Sequence, residues 1–181
     1  MRTTNLAGRT YALIVLTPIR PGLQDELRAY LGTLPGEDSP LARVERTHMA
    51  RLLIVDDMPT PPGTDLADPL GNAYLLFTST FDGELDGYLD ELCERLAPEA
   101  AQIWGRCIGC PDPPAGAALK TCLAHNQIES GLAFAAYGDA SVAQVRSALD
   151  KRERLTRFVI RAQNLDPAAR RSAFLEEFGA R

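Results

Sequence analysis

The sequence is poor in imidazole: His48 and His125 are the only histidines in 181 residues, so histidine chemistry near neutral pH falls on those two positions. It contains no G-x-G-x-x-G, no Walker loop, no G-x-S-x-G elbow and no H-E-x-x-H. Nucleotide cofactors, phosphoryl transfer, α/β-hydrolase chemistry and zincin chemistry therefore lose their usual support. The net charge is −5 and no face of clustered Lys and Arg stands out, whereas binding to a phosphate backbone depends on such a face. No apolar run approaches the ~18 residues that a membrane span requires, and Met1–Arg9 is polar, without the apolar core of an export signal. These absences predict a cytoplasmic protein with neither nucleic acid nor membrane as partner.

Four cysteines, Cys93, Cys107, Cys110 and Cys122, crowd the middle of the chain. Without an export signal, reduced thiols are expected rather than a disulfide framework. Cys107-Ile-Gly-Cys110 has C-x-x-C spacing, but Pro111, Pro113 and Pro114 follow where a thioredoxin-like motif opens a helix. As a zinc site it lacks a second ligand pair beyond Cys93 and Cys122, so no metal centre is expected.

What is present is an ordinary globular composition, 45% apolar and 24% charged, of a length suited to a single domain. Residues 10–140 read as its core and 141–181 as a C-terminal helical extension. Tyr11–Ile19 is a β-branched run ending at Pro18 and predicts a buried strand. Leu23, Leu27, Tyr30, Leu31 and Leu34 recur at helical spacing and end at Pro35-Gly36. Ala42–Asp57, uninterrupted by Gly or Pro, predicts one strand of about 50 Å when extended. Met58–Asn72 reads as an extended proline-rich loop.

Ala73–Phe81 is the clearest strand, ended by Asp82-Gly83, with Asp82 placed to cap the following helix. Leu85, Tyr88, Leu89, Leu92, Cys93 and Leu96 mark that helix, and a short helical piece follows at Ala100–Trp104. Ala115–Ala124 suits a short helix and Gly131–Tyr137 a fourth strand. Ser141–Gln163 and Asp166–Phe178 carry helical spacing, with Asp166-Pro167 as cap and first-turn proline.

The order β-α-β-β-α-β predicts an α+β fold of ferredoxin-like type, a four-stranded antiparallel sheet with both helices on one face. The other face then needs a cover. Either the C-terminal helices or a second copy of the sheet can supply it; the length of the second strand favours the second copy, a homodimeric barrel.

Thr47-His-Met-Ala-Arg-Leu-Leu-Ile-Val-Asp-Asp57, Leu75-Leu-Phe-Thr-Ser-Thr-Phe-Asp-Gly83, Tyr88-Leu-Asp90, Ile103-Trp104 before Gly109-Cys-Pro111, and Phe134-Ala-Ala-Tyr137 before Asp139 together resemble a group of uncharacterised bacterial proteins. That group is similar to the dimeric α+β barrel superfamily, and the resemblance covers roughly residues 10 to 145. The superfamily includes antibiotic-biosynthesis monooxygenases, polyketide cyclases, muconolactone isomerases and haem peroxidase relatives. The resemblance implies a barrel pocket for a small apolar or aromatic molecule. It assigns no cofactor, and no haem-ligand signature accompanies it, so haem enters only as a conceivable ligand.

The candidate site residues follow from these elements. On a regularly alternating strand His48 shares a face with Val44, Arg46, Ala50, Leu52 and Ile54, the placement either of a general base in an apolar cavity or of a structural histidine. His125, beside Asn126 and Gln127, is a second catalytic candidate or a loop anchor. Asp82 is a helix cap or a carboxylate at a pocket mouth, and with both histidines it would complete a two-histidine, one-carboxylate set. Arg46 and Arg51, on opposite faces of one strand, are candidates to clamp a carboxylate or enolate. Tyr74, Phe77, Trp104 and Phe134 line a hydrophobic ligand site or fill the core. The expected activity is proton abstraction, cyclisation or oxygenation of such a molecule, with His48 as base; the alternative is a non-catalytic module binding a hydrophobic ligand, haem or a partner protein.

Overall fold

Strict alternation of buried and half-exposed side chains runs along Thr10–Pro18 and again along Tyr74–Asp82, the signature of a sheet with one covered face. The computed structural model of the chain describes residues 4–58, 62–63 and 70–179. Its strands are β1 (Leu6–Ala7), β2 (Thr10–Pro18), β3 (Thr47–Val55) and β4 (Tyr74–Asp82). They form one antiparallel sheet in the order β1-β2-β4-β3. The helices are α1 (Gln24–Thr33), α2 (Leu85–Arg95), α3 (Ala97–Ile103), α4 (Gly116–His125), α5 (Val142–Ala162) and α6 (Pro167–Phe178). The α+β class and the antiparallel sheet are as the sequence predicts, and no helix among the described residues is long and apolar enough to cross a membrane. The chain divides into two compact units, Met1–Val142 and Ala143–Arg181.

In the first unit, Tyr11, Leu13 and Val15 of β2 and Leu75, Phe77 and Phe81 of β4 are buried with Leu27 of α1, Leu89 and Leu92 of α2, Ile103 of α3 and Leu119 and Leu123 of α4. These side chains form one core, so α1–α4 cover a single face of the sheet. Phe81 stacks between Tyr11 at 5.2 Å and Tyr88 at 3.5 Å, and Trp104 meets Phe77 edge-on at 5.7 Å. The Tyr11 hydroxyl accepts hydrogen bonds from Asn5 Nδ2 and Gln127 Nε2 at 3.1 and 2.8 Å, which satisfies one polar end of that stack. Lys120 of α4 reaches Asp86 and Asp90 of α2 at 2.8 and 2.7 Å.

Two expectations are corrected. The strand predicted over Ala42–Asp57 is only β3, because Ser39 caps a short 3-10 helix at Pro40–Arg43 that uses its first residues. Gly131–Tyr137 is not a strand, and its Leu132, Phe134 and Tyr137 are 86%, 86% and 79% exposed. The reason lies in the edge of β2, which is already filled. β1 pairs with Thr10 and Tyr11, Asn5 accepts from Ala12, Gln127 bridges Val15, and Cys107 bridges Ile19. Nothing is left for a seven-residue strand to pair with. The two-residue β1, absent from the sequence reading, depends on Gly8, which has φ +67° and lies so near Gly138 that a Cβ would come within 2.6 Å of the Gly138 carbonyl oxygen. The predicted loop Met58–Asn72 falls largely outside the described residues.

In the second unit α5 and α6 pack through Phe158, Phe174 and Phe178, whose ring centres lie 5.0–5.7 Å apart. Arg161 pairs with Glu177, and the Arg154 guanidinium lies 5.2 Å from the Phe178 ring centre. Asp166 caps α6 as expected, accepting from the N–H groups of Ala168 and Ala169 at 2.9 and 3.0 Å, with Pro167 in the first turn.

Candidate functional site

β3 does not alternate regularly. Thr47 stands opposite Phe81 and Met49 opposite Thr80, so His48 is an extra residue, a β-bulge in the edge strand. Bulges re-aim side chains and recur beside functional sites. Here the bulge takes His48 out of register with Ala50, Leu52 and Ile54, which pack on the core. That corrects the face expected for it.

The His48 ring instead meets Asp82, with Nε2 2.8 Å from Oδ1. The side chains are 23% and 12% exposed, although the bulged main chain of His48 is open to solvent. The other carboxylate oxygen, Oδ2, accepts the main-chain N–H of Val142 at 2.7 Å, at the first residue of α5. Asp82 therefore holds the main chain at Val142 and does not, as expected, cap α2, whose N-cap is Glu84 without a side-chain bond. A carboxylate can only accept, so the Asp82 bond places the ring proton of neutral His48 on Nε2 and leaves Nδ1 as a proton acceptor. Among the described residues Nδ1 has no hydrogen-bond partner. The pair thus has the base-and-orienter arrangement of general-base sites.

On the core side of the same strand end, Tyr88 exchanges hydrogen bonds with Ser79 at 2.6 Å and Thr47 at 3.1 Å. Burial raises the Tyr88 phenol above its ordinary value, partly offset by those two hydroxyls. Arg46 is committed nearby, with Nε 3.0 Å from Glu91 and its guanidinium 6.0 Å from the Tyr88 ring centre.

The sheet face turned away from α1–α4 is largely apolar, with Thr78, Thr80 and Arg51 among its polar side chains. Its cross-strand rows are Ala12–Thr80–Met49, Ile14–Thr78–Arg51, Leu16–Leu76–Leu53 and Pro18–Tyr74–Val55. Every side chain in the β2 and β4 part of these rows is half-exposed, while Met49 and Leu53 are 55% and 43% exposed. Arg51 is the single basic residue in the rows. It forms no ion pair among the described residues, and its one hydrogen bond is to the weak acceptor Met49 Sδ at 3.4 Å. Asp82, next in alternation after Thr80, and His48, beside Met49, lie at one end of this face.

The remaining sequence candidates are scattered. Tyr74 is on the open face, Phe77 and Trp104 are fully buried in the core, and Phe134 is exposed in the irregular segment. His125 lies on the wall of a surface groove of about 710 Å³ with Cys110, Pro111 and Cys122. Among the described residues no group of three or more His, Cys, Asp or Glu is placed to hold a metal ion.

The expectation of reduced thiols throughout is corrected: Cys110 and Cys122 form a disulfide, whereas Cys93 and Cys107 are free and buried. Cys107 is split from its C-x-x-C partner because it faces the core, where Thr17 Oγ1 lies 3.3 Å from its sulfur. Compared with known proteins, the chain matches no family model, no curated protein and no solved structure.

Proposed function

We propose that the chain is a small-molecule enzyme that abstracts a proton from an apolar substrate carrying a carboxylate or a related acidic group. The observation that carries this reading is the His48–Asp82 pair, a ring fixed at 2.8 Å with no partner for Nδ1 among the described residues, at the end of a half-exposed sheet face. His48 is the base and Asp82 orients it. Arg51 supplies the one cation in the described cross-strand rows of that face. Three residues along the strand correspond to about 10 Å, so a substrate of modest size can place its anionic end at Arg51 and its reacting carbon at His48. The apolar rows supply the contact area that small-molecule sites use, with few polar groups to fix orientation. Isomerisation or cyclisation follows from the same proton transfer.

In this reading the sheet order β2-β4-β3 is the central part of a ferredoxin-like sheet, and a second copy of the chain closes the open face into a barrel. The support is the exposure of Met49 and Leu53 beside the half-exposed Ile14, Leu16 and Leu76, since apolar surface left in water is costly at about 25 cal/mol per Å². Native mass spectrometry of the purified protein tests the assembly: a dimer retaining an organic acid is expected, and a bare monomer overturns the barrel. With a retained compound identified, His48→Asn is expected to keep binding and lose turnover by about a hundredfold or more. Full turnover by that variant would leave the alternative, a ligand-binding module built on Arg51 and the same face.

A further inference from the structure

The groove on the far side of the core, lined by Cys110, Cys122, Thr121 and His125, has no part in that function. Both cysteines of its disulfide are largely covered, 8% and 5% exposed, yet both form the wall of the groove. Their surroundings differ. Cys122 is held within α4, and Asn126 Nδ2 lies 3.7 Å from its sulfur while bonding the Cys122 carbonyl at 2.8 Å. Cys110 follows Gly109, at φ +79°, in a connection without regular structure. A donor aimed at Cys122 Sγ favours the thiolate there, and exchange is faster when the departing sulfur is the better thiolate.

We propose that Cys110–Cys122 is a thiol-exchange site for a low-molecular-weight thiol that enters this groove. The incoming thiolate attacks Cys110 Sγ, forming a new S–S bond as the Cys110–Cys122 bond breaks. Cys122 leaves with the electron pair as a thiolate beside Asn126 and then takes a proton from solvent. A second molecule of the same thiol attacks the mixed disulfide, releasing the oxidised small molecule and leaving Cys110 reduced. Two thiols are oxidised for one protein disulfide reduced. Cys107 and Cys93 take no part, because burial raises both thiols above their ordinary value and neither lines the groove.

Glutathione is the probe. The oxidised full-length chain is treated under native conditions, quenched with acid at intervals and mapped by peptide mass spectrometry. The expected result is a transient glutathionyl adduct on Cys110, followed by free Cys110 and Cys122. Adduct on Cys122, or a disulfide that resists glutathione until the chain is unfolded by urea, overturns the proposal. With oxidised glutathione, folded Cys122→Ser is expected to trap the adduct on Cys110 at least about tenfold faster than on Cys93 or Cys107. Comparable labelling of all three overturns it equally.

Discussion

Asp82 serves two partners with its two oxygens, His48 Nε2 at 2.8 Å and the Val142 N–H at 2.7 Å. One carboxylate thereby holds both the ring and the main chain at Val142. Asn at this position has one acceptor and one donor, so Asp82→Asn must lose or invert one of the two bonds. The expected cost is about 1–3 kcal/mol of stability by chemical denaturation, the penalty of leaving a covered polar group unmatched. The tautomer is the sharper readout. Nitrogen-15 NMR of neutral His48 in the native chain should show the proton on Nε2, and a ring protonated on Nδ1 instead would contradict the assignment of Nδ1 as the accepting atom.

Burial lifts the Cys93 thiol from 9.0 to about 11, with Asp90 adding to the rise and Lys120 opposing it. An unfolded chain gives up this proton near the ordinary value, whereas the folded chain holds it to higher pH. Between the two values the folded state binds more protons, so stability falls as pH rises. The contribution is fully present below pH 9 and is lost by about pH 11, and on this scale it amounts to about 3 kcal/mol. Urea midpoints measured across that interval should decline. Cys93→Ala should flatten the decline without abolishing it, because burial raises Cys107 as well; an unchanged slope would mean that Cys93 ionises freely in the folded chain.

The parts of this fold legible in the sequence are those written as period: the strand alternation of Tyr11–Ile19 and Ala73–Phe81, the leucine spacing of α1 and α2, and the Asp166-Pro167 cap. What the sequence did not show is set by tertiary pairing. Gly131–Tyr137 has strand composition, but a strand needs a free edge, and Asn5, β1, Gln127 and Cys107 already occupy that of β2. The bulge at His48 carries no Gly or Pro to announce it, so simple alternation assigned the ring to the wrong face. Asp82 next to Gly83 resembles a local helix cap, and only the fold reveals its distant partner, Val142. His48, Asp82 and Arg51 were identifiable as candidates by chemistry. Filling of the core by Phe77 and Trp104 was among the readings of the sequence, whereas the pairing of Arg46 with Glu91 was not, because it depends on α2 packing against the sheet.

The cap of α6 offers a local test in the second unit. Asp166 satisfies two of the orphan N–H groups of the first helical turn, those of Ala168 and Ala169. Asp166→Ala should cost about 1 kcal/mol. Hydrogen exchange should locate that loss, with faster exchange at Ala168 and Ala169 and little change in β2 or β4. Equal acceleration throughout the sheet would show that the two compact units unfold as one.

The open sheet face makes the most discriminating prediction, because its residues contribute little to the core beneath them. Leu53 is 43% exposed on β3 and stands opposite half-exposed Leu76 on β4. Leu53→Lys puts a charge onto this surface without entering the core, so the isolated subunit should change stability by no more than about 0.5 kcal/mol. If a second copy covers the face, the same change buries a charge without a partner, and dimerisation should weaken by about a hundredfold or more. Phe77→Ala is the contrasting variant. Phe77 is fully buried against Trp104 on the other face, and its truncation should cost about 3–5 kcal/mol of subunit stability. Sedimentation and denaturation measured on both variants separate the two roles: assembly lost with Leu53→Lys at unchanged fold stability places the interface on this face, while a Leu53→Lys dimer as tight as the native one moves it elsewhere.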